Sequence, residues 1–202
     1  MLIQIHPDNP QPRLIKQVVQ CLEDGGVIVY PTDTIYGLGC DIFHRKAIER
    51  ICQIKNIEPQ KAQLSFICND LSHLSEYTKS IDTPLYRALK NHLPGPYTFI
   101  LPASKLVPKI LQSKKSTIGL RVPGNNICHH ILNELGHPIL SASLPGEYAE
   151  EYADPEIIYN KFEHLVDMVI DGGIGSLVPS TIVDCTTAEW NVTRQGLGKW
   201  EE

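Results

Sequence analysis

A single α/β domain on a twisted sheet of mixed parallel and antiparallel strands, flanked by helices, is the fold predicted by three observations. Amphipathic helical stretches alternate with short apolar runs of strand length. Three strand-like segments follow one another near the end of the chain, so the alternation is not the strict one of a purely parallel sheet. No internal repeat, linker or low-complexity stretch divides residues 1–202, so they are read as one domain.

Taken in order, Pro10 and Pro12 open a helix with Leu14, Ile15, Val18, Val19 and Leu22 on one face, and Gly25-Gly26 stops it. Val27 to Tyr30 reads as a buried strand, and Pro31 to Gly39 as a polar loop lining a small-molecule pocket. A helix over Arg45–Lys55 carries Ile48, Ile51 and Ile54 at helical spacing, and Leu64 to Cys68 is the next strand. Thr83-Pro84 caps a helix ending near Leu93, Pro94-Gly95-Pro96 breaks it, and Tyr97 to Leu101 follows as a strand. Thr117 to Val122 is strand-like. Asn125 or Asn126 caps a helix through Leu135, Gly136 ends it, and Ile139 to Ser143 is a short strand. Asp154-Pro155 starts the last helix. Val166 to Asp171, Thr181 to Asp184 and Trp190 to Arg194 are late strands, expected to lie side by side because consecutive strands usually do.

The totals bound the function. The chain has 202 residues, 42% hydrophobic and 20% charged, enough for a sizeable core without staples, and its formal net charge of −5 advertises neither nucleic acid nor an anionic membrane. Any nucleic-acid site must be a local patch. Six scattered cysteines without a C-x-x-C pair read as reduced packing residues. Cys128-His129-His130 lacks a second half with ligand spacing, so no metal site is expected. The opening MLIQIHPDNP has neither a basic region nor an apolar core, and no window reaches a membrane span, so a cytoplasmic protein is expected.

The familiar phosphate-binding loops are missing: Gly198-Lys199 precedes Trp200, and neither Gly37-x-Gly39 nor Gly173-x-Gly175 has its third glycine. What remains are polar clusters where strands stop: Thr32/Asp33/Thr34/Tyr36, Thr117/Arg121, Ser141/Ser143, Ser180/Thr181 and Arg194. Singly, each Ser or Thr reads as a turn residue; together, hydroxyls and two arginines suit a phosphate or carboxylate. Arg121 stands near the end of an apolar strand, where a charge is costly without a partner, in a structural ion pair or a site. Lys55 alone reads as a helix C-cap.

The segments PTDTIYGLG, GLRVP, PST-I-VD and R-x-G, in this order and spacing, resemble the YrdC-like family, whose best-known members are threonylcarbamoyl-AMP synthases. IHPDNP, KNHLPGPYTFIL and the SxSLPG loop look closest to the YciO branch. The resemblance implies a concave basic cleft that takes L-threonine, bicarbonate and ATP with Mg²⁺, forms a threonylcarbamoyl adenylate for tRNA modification and releases pyrophosphate. Carried over, Thr34 and Arg121 hold the amino acid with Thr32, Tyr36, Ser141 and Ser180, while Thr117, Ser143 and Arg194 face ATP or AMP and Lys55 joins Ser143 in catalysis.

Two departures qualify it. The family's Lys-x-Arg reads Lys55-Asn56-Ile57, and its Ser-x-Asn reads Ser143-Leu144-Pro145, so weak or altered turnover is expected; Lys61 is a conceivable substitute. The alternative reading is a protein binding double-stranded RNA or tRNA through Lys105, Lys109, Lys114, Lys115 and Arg121, as a monomer or homodimer.

Overall fold

Pro12 stands in the first helical turn, where its missing N–H leaves nothing unpaired, and α1 (Pro12–Glu23) buries Ile15, Val18, Val19 and Leu22. The computed structural model describes residues 1–58, 64–111, 116–145 and 152–200. The remaining helices are α2 (Arg45–Ile54), α3 (Leu71–Glu76), α4 (Thr83–His92), α5 (Asn126–Leu135) and α6 (Pro155–Phe162). Asn125 caps α5 by accepting from the Cys128 amide at 3.0 Å, and Gly136 ends it in the left-handed region at φ 77°. The α4 cap is Asp82, accepting from the Leu85 amide at 2.9 Å, rather than Thr83, which already lies inside the helix.

The strands are β1 (Leu2–Gln4), β2 (Val27–Tyr30), β3 (Gly37–Asp41), β4 (Ser65–Ile67), β5 (Tyr97–Pro102), β6 (Thr117–Arg121), β7 (Ile139–Ser143), β8 (Met168–Asp171), β9 (Thr181–Asp184) and β10 (Asn191–Arg194). They form one sheet in the order β1-β8-β2-β3-β7-β4-β6-β5-β9-β10. Pairing is mixed: β1–β8, β2–β8, β4–β6 and β5–β9 are parallel, the other neighbours antiparallel.

Alternate residues of β2, β4, β7 and β8 feed two cores. Val27 and Val29 join the larger, with Leu38, Phe66, Phe99 and Leu120 under α2, α4 and α6. Ile28 and Tyr30 join the smaller, with Ile67, Ile139, Met168 and Ile170 under α1 and α5. No residue of β6, β5, β9 or β10 belongs to the smaller core, so α1 and α5 do not pack over that half of the face. It exposes Thr117, Gly119, Ile100 and Ile182 in part.

Two expectations are corrected. The loop read over Pro31 to Gly39 ends early, because Gly37–Asp41 is a strand wholly buried between β2 and β7. The late strands do not all lie together: β9 pairs β10, but β8 lies between β1 and β2 across the sheet. Met168, Val169 and Ile170 are buried on both faces, so β8 needs neighbours on both sides.

The segment 172–180 therefore spans from the second strand to the ninth. Ten peptide steps reach about 33–36 Å, and seven strand spacings come to about 34 Å. This strap is bent, at Gly173 with φ 94° and where the Val178 amide donates to Ser176 Oγ at 3.0 Å, so it spans less than its full reach, and the twist of the sheet brings the two strands closer than seven flat spacings. It is tied midway by the Ser176 amide to the Thr34 carbonyl at 3.1 Å, and at its end by Ser180 to Thr98 at 2.9 Å.

Candidate functional site

The face that carries the smaller core also has, beside that core, a floor of small residues. Gly39 pairs with Ser141, Ser141 with Ser65, and Ser65 with Gly119, so one row across β3, β7, β4 and β6 carries no side chain larger than serine. The Tyr30 ring lies on this floor, because a β-carbon at Gly39 would come 2.8 Å from its Cε1 and one at Gly37 3.0 Å from its Cζ. The two glycines of YGLG make room for that ring. Its hydroxyl donates to Ser141 Oγ at 2.6 Å, and burial holds the phenol far above its ordinary pKa. Tyr30→Phe is expected to lower stability by about 1 kcal/mol in urea denaturation, through the unpaired Ser141 hydroxyl.

The loop from Pro31 to Ile35 folds back over the face. Cys128 Sγ meets the Pro31 carbonyl oxygen at 3.1 Å, which fixes the loop against α5. Thr32 Oγ1 accepts from the Thr34 amide at 2.9 Å and donates to the Ile35 carbonyl at 2.8 Å, a local turn that directs the 1%-exposed Thr34 hydroxyl inward. There Arg121 Nη2 donates to Thr34 Oγ1 at 2.8 Å, to Thr32 Oγ1 at 3.4 Å and to Asp33 Oδ1. Arg121 and Asp33 form a largely buried ion pair.

Thr98 stands one step beyond the last paired residues of β5 and β6, opposite Arg121; it pairs with Ile182, and Ile182 with Arg194. Both arginines thus occupy one row. Arg194 donates through Nε and Nη2 to the Ser180 carbonyl at 3.0 and 2.8 Å, and through Nη2 to Ser180 Oγ at 3.2 Å. Its pKa is lowered by burial first and then by the charge of Arg121, so the two cations feel one another across the face. An anion between them relieves that repulsion.

At the opposite end of the floor Lys55 donates to the Ser143 carbonyl at 2.6 Å, with Ser143 Oγ at 3.3 Å. Burial lowers the lysine pKa. Thr117 begins β6 at this same end, four residues and about 13 Å along the strand from Arg121.

The site residues expected from sequence fall into three groups. Thr32, Thr34, Arg121, Ser180 and Arg194 meet along the arginine row, with Ser141 on the floor beside them. Lys55 and Ser143 touch each other, with Thr117 at the same end of the sheet. Tyr36 is turned away: it belongs to the larger core, accepts from the Gly172 amide at 3.2 Å and donates to the Gly173 carbonyl at 2.6 Å, so its hydroxyl is spent on the strap. Asp33 and Thr98 are added. Asp33 stands in the very motif singled out, and a carboxylate between two site threonines was the available signal.

Ile57 is packed against the larger core, and the Pro145 carbonyl accepts from the Tyr152 hydroxyl at 2.6 Å. Ile57 thus serves local packing, whereas the contact at Pro145 is made by its backbone and would be open to any residue there. Lys105 and Lys109 are exposed on the segment between β5 and β6, whereas Arg121 is buried. Lys61, Lys114 and Lys115 lie outside the described residues. Among the described residues no group of His, Cys, Asp and Glu is arranged to hold a metal, and no helix is long and apolar enough to cross a membrane.

The Sua5/yciO/yrdC family model, described as telomere recombination, matches residues 20–196. The chain belongs to the Sua5/YciO/YrdC family. Within that family it is 48% identical over 197 residues to YciO of Escherichia coli strain K12, covering 96% of this chain and 94% of that one. It is 31% identical over 176 residues to the threonylcarbamoyl-AMP synthase of Coxiella burnetii strain RSA 493, covering 87% and 94%. The crystal structure of E. coli YciO superimposes with a TM-score of 0.92 at 46% identity, covering 98% of this chain and 97% of that chain. Pyrococcus abyssi Sua5, crystallised with L-threonine, shares the fold with a TM-score of 0.88 at 24% identity, covering 97% and 57%. The single sheet with helices on its faces is therefore the Sua5/YciO/YrdC fold.

Proposed function

We propose that this protein binds an amino acid and ATP on the open face of the sheet. It joins the amino acid's N-carboxylated form to AMP slowly, as a threonylcarbamoyl-AMP synthase with impaired turnover. The observation that carries this reading is the shared row of Arg121 and Arg194 over a glycine and serine floor, with each guanidinium already oriented by hydroxyls. Two cations held at fixed separation before any ligand arrives suit two anionic substrates.

In this reading Arg121, Thr34 and Thr32 take the amino-acid carboxylate with Ser141 and Ser180 beside it. Arg194 and Thr117 take the phosphates of ATP, which Mg²⁺ accompanies as part of the substrate. Lys55 fixes Ser143 at the far edge, where both approach the reacting phosphate and bicarbonate. Nucleotidyl transfer asks for positioning and charge neutralisation more than covalent help, and each lost contact costs on the order of a hundredfold or more in rate. The 31%-identical synthase of Coxiella burnetii supports the reaction class. Ile57 and Pro145 support the slow rate, since neither side chain brings a charge or hydrogen-bond donor.

Calorimetry with ATP and L-threonine, together with pyrophosphate release in the presence of bicarbonate and Mg²⁺, tests this. Wild-type protein is expected to bind both ligands and release pyrophosphate slowly. Arg194→Ala is expected to weaken ATP binding by about tenfold or more, and Ile57→Arg/Pro145→Asn to raise the release rate. No pyrophosphate across a panel of amino acids, with ATP affinity indifferent to Arg194→Ala, discards the reading.

A further inference from the structure

The Arg121–Asp33 pair is only half made. Arg121 Nη2 engages Asp33 Oδ1, but Arg121 Nε and Asp33 Oδ2 are both buried and have no hydrogen-bond partner among the described residues. Guanidinium and carboxylate groups commonly close two parallel hydrogen bonds; here one leg is formed. The pair is not a loose surface contact, since the two side chains are 8% and 13% exposed. Buried polar groups left unpaired are few in a native fold, and each calls for a reason.

The two unpaired atoms are opposite in kind, one a donor and the other an acceptor. A ligand that satisfies both must bring an acceptor to Nε and a donor to Oδ2. A simple carboxylate answers only the first, and sets its own charge against that of Asp33. An α-amino acid answers both with adjacent groups. Gly124 faces Oδ2, since a β-carbon there would touch it at 3.6 Å, an ordinary contact distance.

We propose that Asp33 is the specificity-determining residue of this pocket: the ligand's carboxylate binds Arg121 and its ammonium binds Asp33, so amino acids are chosen over carboxylates that lack the ammonium. This rests on the amino-acid-binding reading above and adds a role to a residue that reading leaves unused. Asp33 thereby serves twice, holding Arg121 in the empty protein and the ligand's ammonium in the filled one.

Calorimetry with L-threonine and with 3-hydroxybutyrate, which keeps the carboxylate and hydroxyl but lacks the ammonium, tests it on wild type, Asp33→Asn and Asp33→Ser. Wild type is expected to prefer threonine by about tenfold or more, the worth of one charge-assisted hydrogen bond. Both variants are expected to lose most of that preference, with threonine weakened and 3-hydroxybutyrate unchanged or tighter. Threonine binding with its preference intact in both variants overturns the role of Asp33 and leaves the amino-acid reading standing. Failure of threonine to bind wild type and both variants overturns that reading as well.

Discussion

Replacing Arg121 by methionine is expected to lower the unfolding free energy by about 3 kcal/mol, because it leaves the Asp33 carboxylate buried without its counter-charge. For a domain of this size that is a fall of about 6–12 °C in melting temperature. The same change strips Thr34 and Thr32 of the Nη2 donor, loosening the loop that Cys128 fixes against α5. Asp33→Asn on top of Arg121→Met removes the stranded charge and is expected to regain most of the loss. The double-mutant cycle, read by urea denaturation, isolates the coupling between the two groups. A double variant no more stable than Arg121→Met shows that Asp33 is not the group the arginine neutralises.

The second large effect belongs to Gly196. A β-carbon there would stand 2.2 Å from the Pro179 carbonyl oxygen, 2.5 Å from the Ser180 carbonyl carbon and 2.6 Å from the Ser180 carbonyl oxygen. All three are backbone atoms, so no flexible side chain can yield. This approach is held by the Leu197 amide on the Pro179 carbonyl at 2.8 Å and the Gly196 amide on Thr181 Oγ1 at 2.9 Å. Gly196→Ala must push the chain after β10 off the strap, and with it Arg194 off the Ser180 carbonyl it grips. A loss of about 3 kcal/mol is expected, at the upper end of overpacking costs, together with an ATP affinity as weak as that of Arg194→Ala. Wild-type melting and wild-type ATP affinity in Gly196→Ala disprove the close approach. The R-x-G segment thus has a physical reading: the arginine faces the site, and the glycine lets its strand lie against the strap.

Much of this was legible in the residues themselves. Apolar spacing and end signals located α1, α2, α5 and most strands, because local periodicity and Gly, Pro and Asn chemistry decide those elements. β3 was missed since Gly37 and Gly39 read as loop; their reason is the Tyr30 ring, a contact no local pattern announces. The place of β8 was missed for a similar reason, as its parallel partners β1 and β2 are remote in sequence. At the site, residue type pointed to Thr34, Arg121 and Arg194, but Tyr36 looked equally suitable until its neighbours Gly172 and Gly173 were seen to claim its hydroxyl. Asp33 stood in the same motif, yet its partner lies 88 positions away.

The strand order has a further consequence, for the order of assembly. In the sheet β9 lies between β5 and β10, and β5 between β6 and β9, so Arg194 of β10 reaches the row of Arg121 on β6 only through β5 and β9. These four strands come from segments separated by the whole of α5, β7, α6 and β8 in the chain. The row that brings the two arginines together is therefore absent from any intermediate in which β5 or β9 is unpaired.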